Sequence, residues 1–326
     1  MGSTNRSGYK RRRHFKTSES KKRTLADLID RYIENELAQR KSDNQKFDVQ
    51  LNWWKKHIGP YSLCDVTPAL IAEYRDQLQK EPFTYKKTED GKKVPKYRSN
   101  ATVNRYMAAL SIAMTIATNE WGWLDENPMR KVKKRTEPKG RVRFLAEEEK
   151  VALLKACKKV DNPYLYTVVV LALSTGARFS EIMNLKWQDV DFERRRLIFM
   201  DTKNGEHRAA PLSQFPFEVL KNHSKIRKIN SQYVFARSDG KAPMEIRKHW
   251  FIAIKDAGIT DFKFHDLRHS AASYLAMSGA TLLEIGQILG HKTSEMTKRY
   301  AHLTEQHTAD VLERMNEKQF RNITGK

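Results

Sequence analysis

The chain has 326 residues, and at ~150 residues per domain that length predicts two domains, each large enough to bury a core. It carries 61 Lys and Arg against 39 Asp and Glu, a formal charge of +22, which favours a polyanionic partner, nucleic acid ahead of an anionic membrane surface. Its two cysteines, Cys64 and Cys157, exclude a disulfide framework and a cysteine-rich zinc module. The longest apolar run, residues 168–173, is far short of the ~18 residues a membrane span needs. No apolar h-region follows the basic N-terminus, so a cytoplasmic protein without a membrane partner is expected.

Residues 1–23 hold nine basic side chains and one acid, too short and polar a stretch to bury a core, and read as a basic flexible tail. From Thr24 the apolar residues Leu25, Leu28, Ile29, Tyr32, Ile33 and Leu37 recur at helical spacing, predicting a helix over 24–42 with Thr24 and Asp27 at its start. Further helices are predicted at about 43–57, 68–80 and 100–121, the last opened by Ser99 or Asn100. Between the last two, the polar stretch 81–97 centred on Asp90-Gly91 reads as a loop or a short hairpin. Asn127-Pro128 ends the helical pattern, so an all-helical domain is expected over 24–129.

Residues 130–143 hold eight basic side chains and one acid. Together with the tail these 37 residues carry +15 of the total charge. The plain reading is a solvated tail and a hydrophilic linker; the sharper one is a pair of phosphate-tracking segments, with Arg130, Lys131, Lys133, Lys134, Arg135, Arg141 and Arg143 contacting DNA. A second domain is expected over 144–305. Helices are predicted at 146–159 and 164–175, the latter nearly all apolar and therefore buried. Two β-like runs, 196–201 and 207–212, flank Asn204-Gly205, a type I′ hairpin signal that sets Lys203 at or beside the tip. Helical patterns return at about 244–257, 265–278, 281–289, 293–302 and 304–317. The fold class is mainly α with a small antiparallel β-sheet (α+β).

Besides the Lys203 hairpin, four short stretches carry chemistry. Arg178 and Glu181 stand three apart on a starting helix, where a carboxylate can hold the guanidinium, although a surface ion pair has the same spacing. In His265-Asp-Leu-Arg268-His269, His265 and Arg268 share a helical face and can meet one anion; an N-capping histidine beside an exposed arginine is the plain alternative. Gly290-His291 fits a helix C-cap followed by an imidazole. Tyr300 is one of twelve tyrosines and alone reads as packing.

The ordered set, Gly-x-Arg-x-x-Glu, a hairpin Lys, His-x-x-Arg, Leu-Gly-His and a Tyr nine residues on, resembles the tyrosine recombinase (phage integrase) family. Its carriers here are Arg178, Lys203, His265, Arg268, His291 and Tyr300, with Glu181 beside the first arginine. Residues 102–106 through Asn127-Pro128 resemble the last helix of the family's SAM-like core-binding domain. The resemblance implies a C-shaped clamp of core-binding and catalytic domains on double-stranded DNA with specific recombination sites. It further implies a tetramer on DNA, with residues 306–326 docking on a neighbouring protomer, and accessory DNA-bending proteins as further partners in a nucleoid setting. It implies strand cleavage and rejoining through a 3′-phosphotyrosine, with no cofactor, metal or nucleotide.

Physical chemistry gives each residue a task. Arginine keeps its charge and binds two oxygens at once, so Arg178 and Arg268 suit a phosphorane-like transition state, with His291 as a further donor. Tyr300 needs a base, for which His265 is the candidate, and Lys203 suits protonation of the leaving 5′-oxygen. Glu181 is expected to orient Arg178 and His265. Larger phage integrases carry a folded arm-binding domain, which residues 1–23 are too short and polar to form, so a second, accessory DNA site is not expected. Mobile-element integration or excision is the favoured role, against Xer-like chromosome dimer resolution or DNA inversion. Three rivals remain: a zinc hydrolase built on His265-Asp-Leu-Arg-His269, a type IB topoisomerase, and a non-catalytic DNA-binding protein on the same fold.

Overall fold

A computed structural model describes residues 19–40, 44–87, 90–138, 140, 142–201, 206–303 and 305–320. The chain divides into two compact units, residues 1–139 and 140–326. Both are predominantly helical, and each carries one small antiparallel sheet among the described residues.

In the first unit, helices α1 (Leu25–Tyr32), α2 (Asn44–Ile58), α3 (Pro68–Lys80) and α4 (Asn100–Asn119) enclose one core. Their starts are written in the sequence. The Thr24 hydroxyl accepts from the Asp27 amide while the Asp27 carboxylate accepts from the Thr24 amide, and the Thr67 and Ser99 hydroxyls cap α3 and α4, each satisfying an otherwise orphaned N–H. Trp54 is fully buried, and its indole N–H donates to the Tyr106 carbonyl at 2.9 Å, so α2 and α4 are joined by a polar tie inside an apolar core. The helix expected over 24–42 is shorter. After Tyr32 the backbone widens into a π turn over Ile33–Leu37, and the Asn44 side chain takes up the Leu37 carbonyl at 2.8 Å. The 81–97 stretch forms a hairpin of β1 (Thr84–Lys87) and β2 (Lys93–Lys96).

The basic segment after Pro128 lies against α4, held by neutral amides. Asn127 donates to the Ser111 carbonyl and accepts from the Met129 amide. Asn104 makes a two-point clamp on residue 135, Nδ2 to its carbonyl at 2.8 Å and Oδ1 from its amide at 2.9 Å. Asn100 donates to the Thr136 carbonyl at 2.7 Å. Arg130, Lys133 and Lys134 are exposed.

In the second unit, α5 (Glu147–Lys159), α6 (Leu165–Thr175), α8 (Gln214–Ser224), α9 (Arg247–Asp256) and α10 (Asp266–Met277) surround a core in which α6 is buried almost all round, as its uninterrupted apolar sequence requires. The sheet runs β3 (Val190–Asp191), β4 (Arg196–Asp201), β5 (Glu206–Pro211), with Arg196 opposite Pro211 and Asp201 opposite Glu206. The third strand and helix α8 are additions to the sequence reading. Short α7 (Phe179–Met183) follows α6; α11 (Leu282–Leu289), α12 (Glu295–Lys298) and α13 (Glu305–Phe320) complete the unit. The helix expected over 293–302 is broken. The Tyr300 amide bonds back to Thr297 and the Leu303 amide to Tyr300, a three-residue spacing that tightens the chain around Tyr300. Among the described residues no helix is long and apolar enough to cross a membrane.

Candidate active site

The site is assembled from four chain segments of the second unit, and two glycines make their close approach possible. Gly176 ends α6 in the left-handed region (φ 60°), where a Cβ would stand 2.1 Å from a Leu289 methyl. Its carbonyl thereby accepts from Arg268 Nη1 at 2.7 Å. Gly290 ends α11 at φ 67°, where a Cβ would meet the Arg208 side chain at 2.6 Å. Only glycine fits either position.

Arg178 precedes α7, and its guanidinium donates to Glu181 Oε1 at 2.5 Å while its backbone amide donates to Oε2 at 2.9 Å. The other partner of Glu181 is Arg208 Nη2 at 2.9 Å, not His265, which corrects the expectation drawn from spacing. Burial opposes the charge on Glu181, but the Arg178 amide and the Arg208 and Arg178 guanidiniums outweigh it and hold the carboxyl below its usual range. Arg208 also donates to the Ile288 carbonyl at 2.5 Å and stacks on Phe199, its cross-strand partner. One guanidinium thus ties β5, the start of α7 and the end of α11 together.

Arg268 stands in the first turn of α10 and is 4% exposed. Burial, and then the neighbouring Arg178 and Arg208 charges, push its pKa down to about 10. Its Nη2 is buried without a hydrogen-bond partner among the described residues, a costly state for an ionised donor that an anion would relieve. His291 follows Gly290 and its Nδ1 lies 2.7 Å from the Thr297 hydroxyl, which orients the ring. Burial and the Arg268 charge push it down to about 4. Arg178, Arg208 and His291, with His207 and Lys292, line one cleft of about 390 Å³, a size that admits a phosphodiester group.

Tyr300 is 1% exposed, and its hydroxyl shares a 2.5 Å hydrogen bond with Nδ1 of His269. Burial raises the phenol pKa, with the Arg299 and Arg268 charges opposing. The phenol partner is therefore His269, one helical turn beyond His265, the base expected from the sequence. Burial, followed by His265, pushes His269 down to about 4; desolvation and the Arg268 charge also lower His265, whose ring packs edge-on against His269. Lys203 and Arg141 lie outside the described residues.

Two residues escaped the sequence reading. His269 lay within a quoted motif, and its signal was a second histidine four residues after the first. Arg208 shares strand parity with buried Ala210, so its signal was a charge at an inward-facing position. The cationic strip also divides. Lys131 pairs with Glu126 at 2.5 Å and Arg135 with Asp76 at 2.6 Å in the first unit; Arg143 pairs with Glu149 in the second. Among the described residues no three His, Cys, Asp or Glu side chains group where they could hold a metal ion.

An inward-facing cluster of arginines and histidines beside a buried tyrosine, in a mainly helical unit, is the arrangement that the resemblance to tyrosine recombinases implies. Residues 143–307 match the phage integrase family, and the chain belongs to it. The integrase of Salmonella phage P22 is 29% identical over 323 residues, covering 90% of this chain and 80% of that protein. A shufflon-specific DNA recombinase of Escherichia coli is 30% identical, covering 87% of this chain and 70% of that protein. Among solved structures, the Tn1549 transposon integrase in complex with a circular intermediate DNA has TM-score 0.70 at 18% identity, covering 90% of this chain and 99% of that one. A lambda integrase dimer bound to a COC′ core site has TM-score 0.66 at 21% identity, covering 85% and 95%. The protein is a site-specific DNA recombinase that works through a phosphotyrosine, the mechanism general to its family.

Proposed function

We propose that the chain integrates and excises a mobile element, and that Arg178, Arg268 and His291 hold the scissile phosphate while Tyr300 attacks it. The observation that carries the site assignment is the buried, unpartnered Nη2 of Arg268 beside two further guanidiniums. Three cations around one point repel each other, and a phosphodiester entering among them removes that repulsion. Catalysis is electrostatic, since charge builds on the non-bridging oxygens as the fifth bond forms. The Tyr300 oxygen bonds to phosphorus, the 5′-oxygen departs with a proton from Lys203, and a second strand's 5′-hydroxyl later reverses the exchange. No bond energy is lost, so no nucleotide enters.

At rest the Tyr300 hydroxyl is covered and bonded to His269, so attack requires the ring to turn out of that bond. His269 takes the phenol proton as it leaves, with His265 beside it as relay. Both are weak bases in the DNA-free protein because burial, and after it the neighbouring positive charges, lower them; the incoming phosphate charge raises their basicity at the moment it is needed. Around the duplex, domains 24–129 and 144–305 close as a clamp with 130–143 across the backbone. Four protomers assemble, with residues 306–326 docking on a neighbour; accessory DNA-bending proteins and a nucleoid setting belong to the same proposal. The shufflon recombinase relative favours inversion as the second reading.

The test is a nicked duplex carrying candidate attachment sites, incubated in EDTA and resolved on a denaturing gel. A covalent protein–DNA adduct is expected, absent from Tyr300→Phe. An adduct that persists in that variant refutes the nucleophile assignment, and the duplex that reacts separates integration from inversion.

A further inference from the structure

The β1–β2 hairpin is a secondary structure without a core. Every position of β2 is exposed, and none of the described residues from 81 to 98 enters the buried cluster of the first unit. A two-stranded hairpin in water is marginal without a packed face, yet this one displays Phe83, Tyr85, Val94 and Tyr97 at 47% exposure or more, Tyr85 reaching 57%. Its base is fixed. Arg98 donates to the Leu78 and Glu81 carbonyls at 3.3 and 3.2 Å and spreads over Phe83 and Tyr106.

Charge is segregated onto the same ribbon. Residues 84–98 carry six Lys and Arg against two acids, net +4. The flanking helical body, residues 24–83 and 99–129, has nine against thirteen, net −4. A uniformly basic surface would show no such contrast. Lys93 and Lys96 are exposed, the Lys96 ammonium lies 5.7 Å from the Phe83 ring, and Tyr85 stands opposite Pro95 in the register. Cations interleaved with exposed aromatic rings suit a sugar–phosphate backbone, where charge meets phosphate and rings cover sugar and base edges. A two-stranded ribbon also fits the width of a major groove.

We propose that this hairpin is a second DNA grip, a ribbon that holds duplex DNA by its phosphates through Lys93 and Lys96 and by apolar cover from Tyr85 and Tyr97. The proposal rests on the recombinase reading for its partner. It adds a contact surface separate from the 130–143 strip and from the catalytic cleft.

The test uses the full chain and a fluorescent 30-base-pair duplex of arbitrary sequence, titrated across a sodium chloride series. Lys93→Glu/Lys96→Glu is expected to weaken binding about tenfold or more and to lower the log–log salt slope by about 2, at ~0.9 per phosphate contact. Tyr85→Ser/Tyr97→Ser is expected to weaken binding with the slope unchanged. Lys221→Glu/Lys225→Glu, at the C-terminal end of α8, changes net charge equally and is expected to leave the slope alone. Should the first variant melt early, Lys93→Gln/Lys96→Gln gives the same sign of slope change. An unchanged slope in the lysine variants overturns the proposal, as does an equal loss in the Lys221/Lys225 control. So does unchanged DNA binding with altered sedimentation of the free protein, which would make the hairpin a protein-docking element. Failure of the recombinase reading looks different: wild-type protein binds the duplex but never forms the Tyr300 adduct on nicked DNA.

Discussion

Asn104 and Arg268 hold comparable positions in their units, each a polar side chain under the surface, and put them to opposite use. Asn104 is neutral and satisfied by backbone and a carboxylate; it pins the chain so that the lysines of the first unit stand in water. Arg268 is charged, short of one partner and pressed by two other arginines. Recognition of a polyanion needs cations at the surface, where they cost little and are screened by salt. Chemistry on a phosphate needs them desolvated, where the same charge acts far more strongly and is expensive to hold. The second unit sustains this through Glu181, whose carboxylate is shared by Arg178 and Arg208.

That contrast breaks most sharply at the reacting atoms. Tyr300→Phe is expected to remove the covalent adduct altogether while leaving duplex affinity within about twofold, as a gel and an anisotropy titration on the same preparation would show. Arg268→Ala should slow adduct formation by ~10³ or more, the scale of losing a preorganised donor to a developing oxyanion. An Arg268 variant cleaving at wild-type rate in a single-turnover time course would deny that the buried cation meets the phosphate.

Next in size is the shared carboxylate. Removing the Arg208 charge leaves Glu181 and the Ile288 carbonyl short of a donor, and Arg208→Met is expected to lose ~3 kcal/mol of stability along with adduct rate. Denaturant melts measure the first, and Arg208→Lys should restore part of it by returning the charge without the fork. A stable but inactive Arg208→Met would mean that Arg208 touches substrate instead of positioning its neighbours.

Acid should distinguish the units as well. His269 and His291 have folded pKa values of about 4, below the ~6.5 of an unfolded histidine. Between those limits the unfolded chain binds more protons, so stability is full above about pH 6.5 and is lost as pH falls toward 4. The slope is at most ~1.4 kcal/mol per pH unit for each histidine. Tm measured from pH 7 to 4.5 should fall less in His269→Gln, provided that variant folds.

How much of this could be read from the sequence follows the same division. Helices with a strong apolar stripe and a capping residue, such as Thr24, Thr67 and Ser99, declared themselves, as did the strands beside Asn204-Gly205. What stayed hidden depends on partners far along the chain. Ile33–Leu37 continues the apolar spacing of α1 and gives no local sign of its π turn. Residues 130–138 read as a linker because nothing in their composition reveals that Asn100 and Asn104, some thirty residues earlier, hold their backbone. The candidate site was legible as an ordered set of residue types, but its wiring was not. Spacing placed Glu181 with Arg178 and could not supply Arg208, and it named His265 as the base where His269 is the residue that meets the phenol.

The smallest expected effect tests whether a cation in the strip is free to act on DNA. Lys133 and Lys134 are exposed, whereas Arg135 is bonded to Asp76 through its side chain and clamped by Asn104 through its backbone. If exposure governs, Lys133→Ala/Lys134→Ala lowers the salt slope of duplex binding by nearly 2 and leaves Tm unchanged, since surface charges contribute little to folding. Arg135→Ala should do the reverse, shifting the slope by well under 1 while lowering Tm by a degree or two. Equal slopes from the two variants would show that the Asp76 pair opens on DNA, and would place Arg135 among the phosphate contacts after all.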